Sequence, residues 1–218
     1  MRSVVRRPLR LSAPAKLQHS NECTAGSLDQ PEVIAEGNRW FVVFKPAKWL
    51  VEPANLNEPL QSRIPALQSV CRVSLQSETV LFPMRVNQDI AALTFACTDR
   101  GMNAQFSRHL ASGQIDRYYR ALCTFQETSN LDPETFPTHS VNVEIQSPGV
   151  CLVTAVASKM RATTLYELLA SRGLQLVPDV PFNVQLYRLV FPDPISPGSG
   201  DRLSVEMGLP GEWEHLLG

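Results

Sequence analysis

Runs of apolar side chains along the chain are short and mostly built from strand formers. Residues 40–44, Trp-Phe-Val-Val-Phe, predict a strand that ends at Lys45-Pro46. Proline has no N–H for a ladder and fixes its own φ, so the pair marks a turn. Val80-Leu81-Phe82 predicts the start of a second strand, and residues 92–98 a buried one. Residues 117–125 and 183–191 predict two more. Residues 141–145 and 150–156 flank Gln-Ser-Pro-Gly and predict a hairpin. The clearest helix follows Thr98 and Asp99, either of which can cap it. Met102, Phe106, His109 and Leu110 share one face, and Gly113 offers a left-handed stop. A shorter helix is expected within residues 60–72, and Gly-Glu-Trp-Glu-His-Leu-Leu predicts a closing one. Residues 161–173 are ambiguous. Their threonines and Tyr166 favour a strand, while Leu165, Leu168, Leu169 and Gly173 favour a helix with a C-cap. Residues 22–37 read as a polar linker, and 126–140 and 192–201 as loops. This order predicts an α+β fold, one domain on a mixed or antiparallel central sheet flanked by helices.

The chain has 218 residues, 44% of them hydrophobic, enough for an ample core. No apolar run approaches the roughly 18–20 residues of a membrane-spanning helix, so no membrane contact is expected. Cys23, Cys71, Cys97, Cys123 and Cys151 are widely spaced and form no Cys-x-x-Cys. That argues against a disulfide framework and against zinc, and for a reducing compartment. His19, His109, His139 and His215 have no metal-ligand spacing. Neither a metal nor a cofactor is expected.

Charge changes the picture. The net charge is −1, but residues 1–21 carry Arg2, Arg6, Arg7, Arg10 and Lys16 with no acid, which leaves −6 for the remainder. An Arg-rich, Ser-bearing, acid-free start is the composition of a mitochondrial leader, and equally of a basic arm that lies on nucleic acid. Residues 1–37 are therefore expected to be arm or leader plus linker, held by a partner, with the domain at 38–218. An acidic body implies a narrow grip on RNA or much protein contact, because domains that hold RNA by phosphate alone are basic.

Several segments, in order, resemble the RluA-type pseudouridine synthases. That family opens with a strand ending Lys-Pro-Ala-Gly; here Lys45-Pro46-Ala47 is followed by Lys48. Its signature, His-Arg-Leu-Asp-x-x-Thr-Ser-Gly before an apolar strand, is matched by Met84-Arg85-Val86-Asn87-Gln88-Asp89-Ile90-Ala91-Ala92. Its Lys-x-Tyr-x-Ala-Leu is matched by Arg117, Tyr119, Ala121 and Leu122, and its Ala-x-Thr-x-Tyr by Ala162, Thr164 and Tyr166. Its last strand and Phe-x-x-Pro turn are matched by Leu-Tyr-Arg-Leu-Val-Phe-Pro-Asp-Pro, 186–194. The resemblance covers residues 38–215 and implies the pseudouridine synthase catalytic-domain fold.

What the resemblance implies for chemistry is a loss. The family's signature aspartate is the nucleophile or base that lets a uridine leave its sugar and rejoin it through carbon. A carboxylate has the charge to attack or stabilise an electron-poor sugar carbon; Asn87, at that position, has not. The family's Thr-Gly-Arg-Thr-His-Gln-Ile-Arg segment, whose arginine pairs with the carboxylate, has no counterpart between residues 174 and 191. Losing both is coherent, since a buried arginine without its partner is costly. The signature histidine is Met84. By resemblance, Arg85 would fill the space of an extruded base and Tyr119 would stack on the uracil, with Arg117 and Lys45 also at the RNA. Against those roles stand plainer ones: Arg85 paired with Asp89 or Asp99, Tyr119 in the core, Asn87 as a turn residue. Arg100, Arg108 and Arg120 are either phosphate contacts or solvated surface.

Three functions follow as expectations. The first is an RNA- and protein-binding factor without catalysis, acting with rRNA and ribosomal or assembly proteins at the mitochondrial large ribosomal subunit. The second is an active pseudouridine synthase using another acid, Asp89 being nearest. The third is an architectural subunit with its old cleft filled by protein.

Overall fold

The computed structural model describes residues 29–52, 65–75, 77–125, 140–147, 149–157, 162–178, 183–196 and 200–217. Nine strands in these stretches join one sheet: β1 (Glu32–Gly37), β2 (Trp40–Lys45), β3 (Ala91–Cys97), β4 (Asp116–Thr124), β5 (Ser140–Ser147), β6 (Val150–Ala157), β7 (Gln175–Leu176), β8 (Val184–Pro192) and β9 (Arg202–Glu206). Four helices accompany them: α1 (Leu67–Leu75), α2 (Arg100–Ala111), α3 (Ala162–Ser171) and α4 (Gly211–Leu217). The sheet runs β1-β2-β3-β8-β4-β6-β5, with β7 added to β4 and β9 to β8. Its strand pairs are antiparallel except β3 with β8. This is the expected α+β architecture.

β3 is buried at all seven positions, which is why its sequence is a continuous apolar run rather than an alternating one. It lies between β2 and β8. Phe95 stacks on Phe106 of α2 at 3.8 Å and meets Phe191 of β8 edge-on at 5.6 Å. Trp40 meets Phe191 at 5.8 Å. Such rings contribute by area and by offset or edge geometry. Asp99 caps α2 as expected, its Oδ1 accepting the Met102 N–H at 2.9 Å. Gly113 then takes φ 74°. At Gly37, a Cβ would stand 2.2 Å from the Trp40 indole, so only glycine lets that ring lie over the hairpin.

The differences from expectation have local causes. Residues 32–37 form β1 rather than linker: Glu32, Val33, Ala35 and Glu36 pair along β2, so the sheet begins before residue 38. β1 is an edge strand with a bulge between Val33 and Ala35, and its mixed polarity hid it. Residues 80–82 make only an isolated bridge, Leu81 with Cys97. The ambiguous 161–173 stretch is helix α3, followed by Gly173 at φ 71°. β9 lies just beyond the range read as loop. The N-terminal part of the expected helix at 60–72, residues 60–64, lies outside the described residues, and α1 begins at Leu67. The basic arm, 1–21, also lies outside them. Among the described residues no helix is long and apolar enough to cross a membrane.

Candidate functional site

The segment Met84–Ile90 enters β3 from the sheet's edge. Met84 and Ile90 are buried in the main core and pin its two ends. Between them the backbone is held from below by Lys45. That side chain is 0% exposed, and its Nζ donates to the carbonyls of Pro46 (2.8 Å), Ile90 (2.9 Å), Trp49 (3.0 Å) and Gln88 (3.1 Å). One amine thus ties the turn after β2 to the segment before β3. Burial away from water pushes Lys45 down to about 7 from 10.5, with the Asp89 charge pulling the other way. Lys45 was expected at RNA; with no exposed surface it instead supports the loop from inside.

Lys48 makes the second tie. Its N–H donates to the Gln88 carbonyl at 2.7 Å, and its Nζ lies 2.7 Å from Asp89 Oδ1. Its φ is +65°, the left-handed region that favours glycine. Here is the physical reason for glycine at this place in the resembled family, and this chain puts a lysine there. Asn87 makes the third tie: its Oδ1 accepts the Asp89 N–H at 2.9 Å, an Asx turn. The Asn87 carboxamide therefore serves as a local brace. The carboxylate in this segment belongs to Asp89, two residues along, with Lys48 as its cation.

Arg85 is exposed and, among the described residues, has no ion pair. Its two expected acids are engaged elsewhere: Asp89 with Lys48, and Asp99 with the α2 cap and Arg39 at 3.5 Å. Tyr119 is 3% exposed and sits in the same core as Met84 and Ile90. Burial raises its phenol, and the charge of Arg117 lowers it. Stacking of a base on Tyr119 would require that core to open. Arg117 is half-buried, the second residue of β4, opposite Ala157 and Leu189. The structure therefore brings Asn87, Asp89 and Lys48 together over Lys45, leaves Arg85 outward, and puts Tyr119 in the core.

Sequence reasoning missed two participants. Lys48 was legible only as a departure from glycine. Tyr166 of α3 was matched by motif without a place; it is half-buried against the main core, and its phenol is raised by burial and by the Asp89 charge. Arg120 is 5% exposed, not solvated, whereas Arg100 and Arg108 are exposed on α2. Cys71, Cys97, Cys123 and Cys151 are free and buried, and burial raises each thiol, which keeps them unreactive.

Solved structures carry the same arrangement of elements. Human RNA pseudouridylate synthase domain containing 4 superposes with a TM-score of 0.64 over 85% of this chain and 91% of that one, at 11% identity. Human RNA pseudouridylate synthase domain containing 1 gives 0.57 over 85% and 86%, at 12% identity. The chain has the pseudouridylate synthase fold. No protein-family model matches the sequence, and no curated protein matches it. At such identities the likeness is one of backbone path.

Proposed function

We propose that this chain is a pseudouridylate-synthase-fold protein that binds RNA and has lost catalysis, and that it works with protein partners in assembly or structure of the mitochondrial large ribosomal subunit. One observation carries the reading. The side chain in the place of the catalytic carboxylate is a carboxamide whose oxygen is already taken by the Asp89 N–H. Asn87 can neither attack a sugar carbon nor accept its charge. The unpaired Arg85 beside it retains a group that holds phosphate or an extruded base. The Arg-rich, acid-free residues 1–21 support the organelle, and the −6 remainder supports partners that are partly protein.

The test is direct. Purified full chain incubated with mitochondrial rRNA should yield no new pseudouridine on site mapping, while ultraviolet crosslinking should join the chain to that RNA. In cells the chain should sediment with large-subunit precursors. Pseudouridine produced by the wild-type chain would overturn the loss of catalysis.

A second reading has its own observation. Asp89 and Lys48 form a carboxylate–ammonium pair at 2.7 Å on the same loop, with Tyr166 in the field of Asp89. That is the pairing an active site needs, built from other positions. If Asp89 is the working acid, wild-type chain makes pseudouridine, and Asp89→Asn abolishes it.

A further inference from the structure

β8 carries a bulge that re-aims its side chains. Tyr118 of β4 faces Arg188, and Tyr119 faces Leu186, so Tyr187 is the extra residue. In a regular strand neighbours point to opposite faces, and a bulge breaks that alternation. Leu186 and Leu189 both enter the main core, while Tyr187 and Arg188 between them both reach the other face.

There they meet the outward residues of β4. The Arg188 guanidinium lies 4.7 Å over the Tyr118 ring. The Tyr118 and Tyr187 rings meet edge to face at 6.4 Å. The Arg120 guanidinium lies 4.6 Å over Tyr187 and 5.9 Å from the Trp213 ring. The order is cation, ring, ring, cation. Arg120 donates to Gln185 Oε1 at 2.7 Å and to the Gly208 carbonyl, both neutral. Gln185 is fully buried, and its Nε2 has no acceptor among the described residues. Glu206 reaches Arg188 at 3.7 Å, but its side chain is 54% exposed, so that pair is weak and screened. The array carries two cations against one acid.

Packing alone does not call for this composition. Leucines at Arg120 and Arg188 would close the sheet face without burying a cation whose hydrogen bonds go to neutral groups and whose acid, Glu206, is largely exposed. Tyr118, Tyr187 and Arg188 are only half-buried, so part of each stays open. Tyrosine rings beside arginines are the groups that stack unpaired bases and hold the adjoining phosphate. Tyrosine and arginine also serve protein-docking faces, but there they surround an apolar centre depleted of charge, whereas this array holds more cations than acids, which suits a phosphate-bearing partner. The large apolar side chains exposed among the described residues, Val33, Val70, Val73, Ile195 and Leu216, all lie outside the array.

We propose that the outer face of β4 and β8 is a second RNA-binding surface. It takes one or two unpaired nucleotides of single-stranded RNA, with bases on Tyr118 and Tyr187 and a phosphate on Arg188. It lies on the opposite side of the sheet from Tyr119 and the Met84–Ile90 segment. The proposal rests on the RNA-binding reading above.

The experiment uses the full chain and a fluorescent single-stranded RNA of mixed sequence, with a blunt RNA duplex as comparison. Tyr118→Leu and Tyr187→Leu keep an apolar cover but remove the ring; each should weaken single-strand binding about tenfold. Tyr→Phe at the same positions should bind like the wild type. Arg85→Ala should weaken binding independently, its fold-change multiplying with that of Tyr118→Leu. Binding unchanged in both Leu variants, each with an unaltered melting temperature, overturns the second surface; if Arg85→Ala still weakens it, the proposed function stands. Equal loss in the Phe variants also overturns it. A wild-type chain that binds no RNA overturns both readings, while crosslinking of this face to protein only overturns the second surface alone.

Discussion

The aromatic wall beneath α2 and the Met84–Ile90 segment are both anchored in β3, yet they are held by opposite means. Trp40, Phe95, Phe106 and Phe191 pack ring against ring, with no charge among them. The segment hangs on one buried amine, an exposed ion pair and an asparagine turn. Apolar packing is indifferent to pH and salt over the ordinary range. A loop tied by lysines is not. The site is thus the part of β3's surroundings that solution conditions can loosen, which suits the RNA-binding role proposed for it.

Truncating the wall should give the largest effect. Phe95→Ala removes a ring with three aromatic neighbours and should cost about 3–5 kcal/mol, with the same loss at pH 6 and pH 9 in denaturant titrations. A pH-dependent loss would blur the contrast. Lys45→Met comes next. It leaves four carbonyls without their donor and should cost about 2–4 kcal/mol at pH 9.

The wild type should also show a pH signature that Lys45→Met lacks. The folded chain holds Lys45 near 7, while the unfolded chain keeps its proton up to 10.5. The unfolded state therefore binds more protons between those values, and stability rises as pH climbs from about 7 toward 10.5. Below 7 the ammonium is charged in both states and the slope vanishes. A flat wild-type curve relative to Lys45→Met would show that the carbonyls keep the amine charged.

Gly37→Ala is expected to cost about 1–3 kcal/mol, because the new methyl must displace the Trp40 indole. Lys48→Gly should change stability least, within about 1 kcal/mol. Relief of a left-handed φ offsets the loss of an exposed ion pair. Lys48→Ala keeps the strained φ and loses the pair, so it should be the less stable of the two. Both variants lose the pair, so the reverse order would mean that the extra freedom of glycine in the unfolded chain outweighs the relief of the left-handed φ.

The strands with uninterrupted strand formers were legible because their burial is written into consecutive residues. β3 and β2 are cases: Ala-Ala-Leu-Thr-Phe-Ala-Cys and Trp-Phe-Val-Val-Phe-Lys have no other stable place than a sheet interior. β1 was not, since Glu-Val-Ile-Ala-Glu-Gly has the polarity of an edge strand and reads as linker. At the site, the place of Asn87 just ahead of β3 was legible in the sequence, and so was its suitability for a turn. The burial of Lys45 was not, because a lysine after a strand looks like surface until four carbonyls close on it. Nor was the bulge that turns Tyr187 and Arg188 to one face, since a single extra residue leaves no mark in composition.

By itself the sequence determined which stretches must be strands, where α2 starts and stops, and which side chain stands at the mouth of β3. Those are properties of local polarity, caps and residue type. Only the tertiary structure decided that Lys48 answers Asp89, that Lys45 braces the loop from inside, and that Arg85 is left outward. Each depends on residues about forty positions apart meeting across a strand pair, where burial and distance set the charge balance.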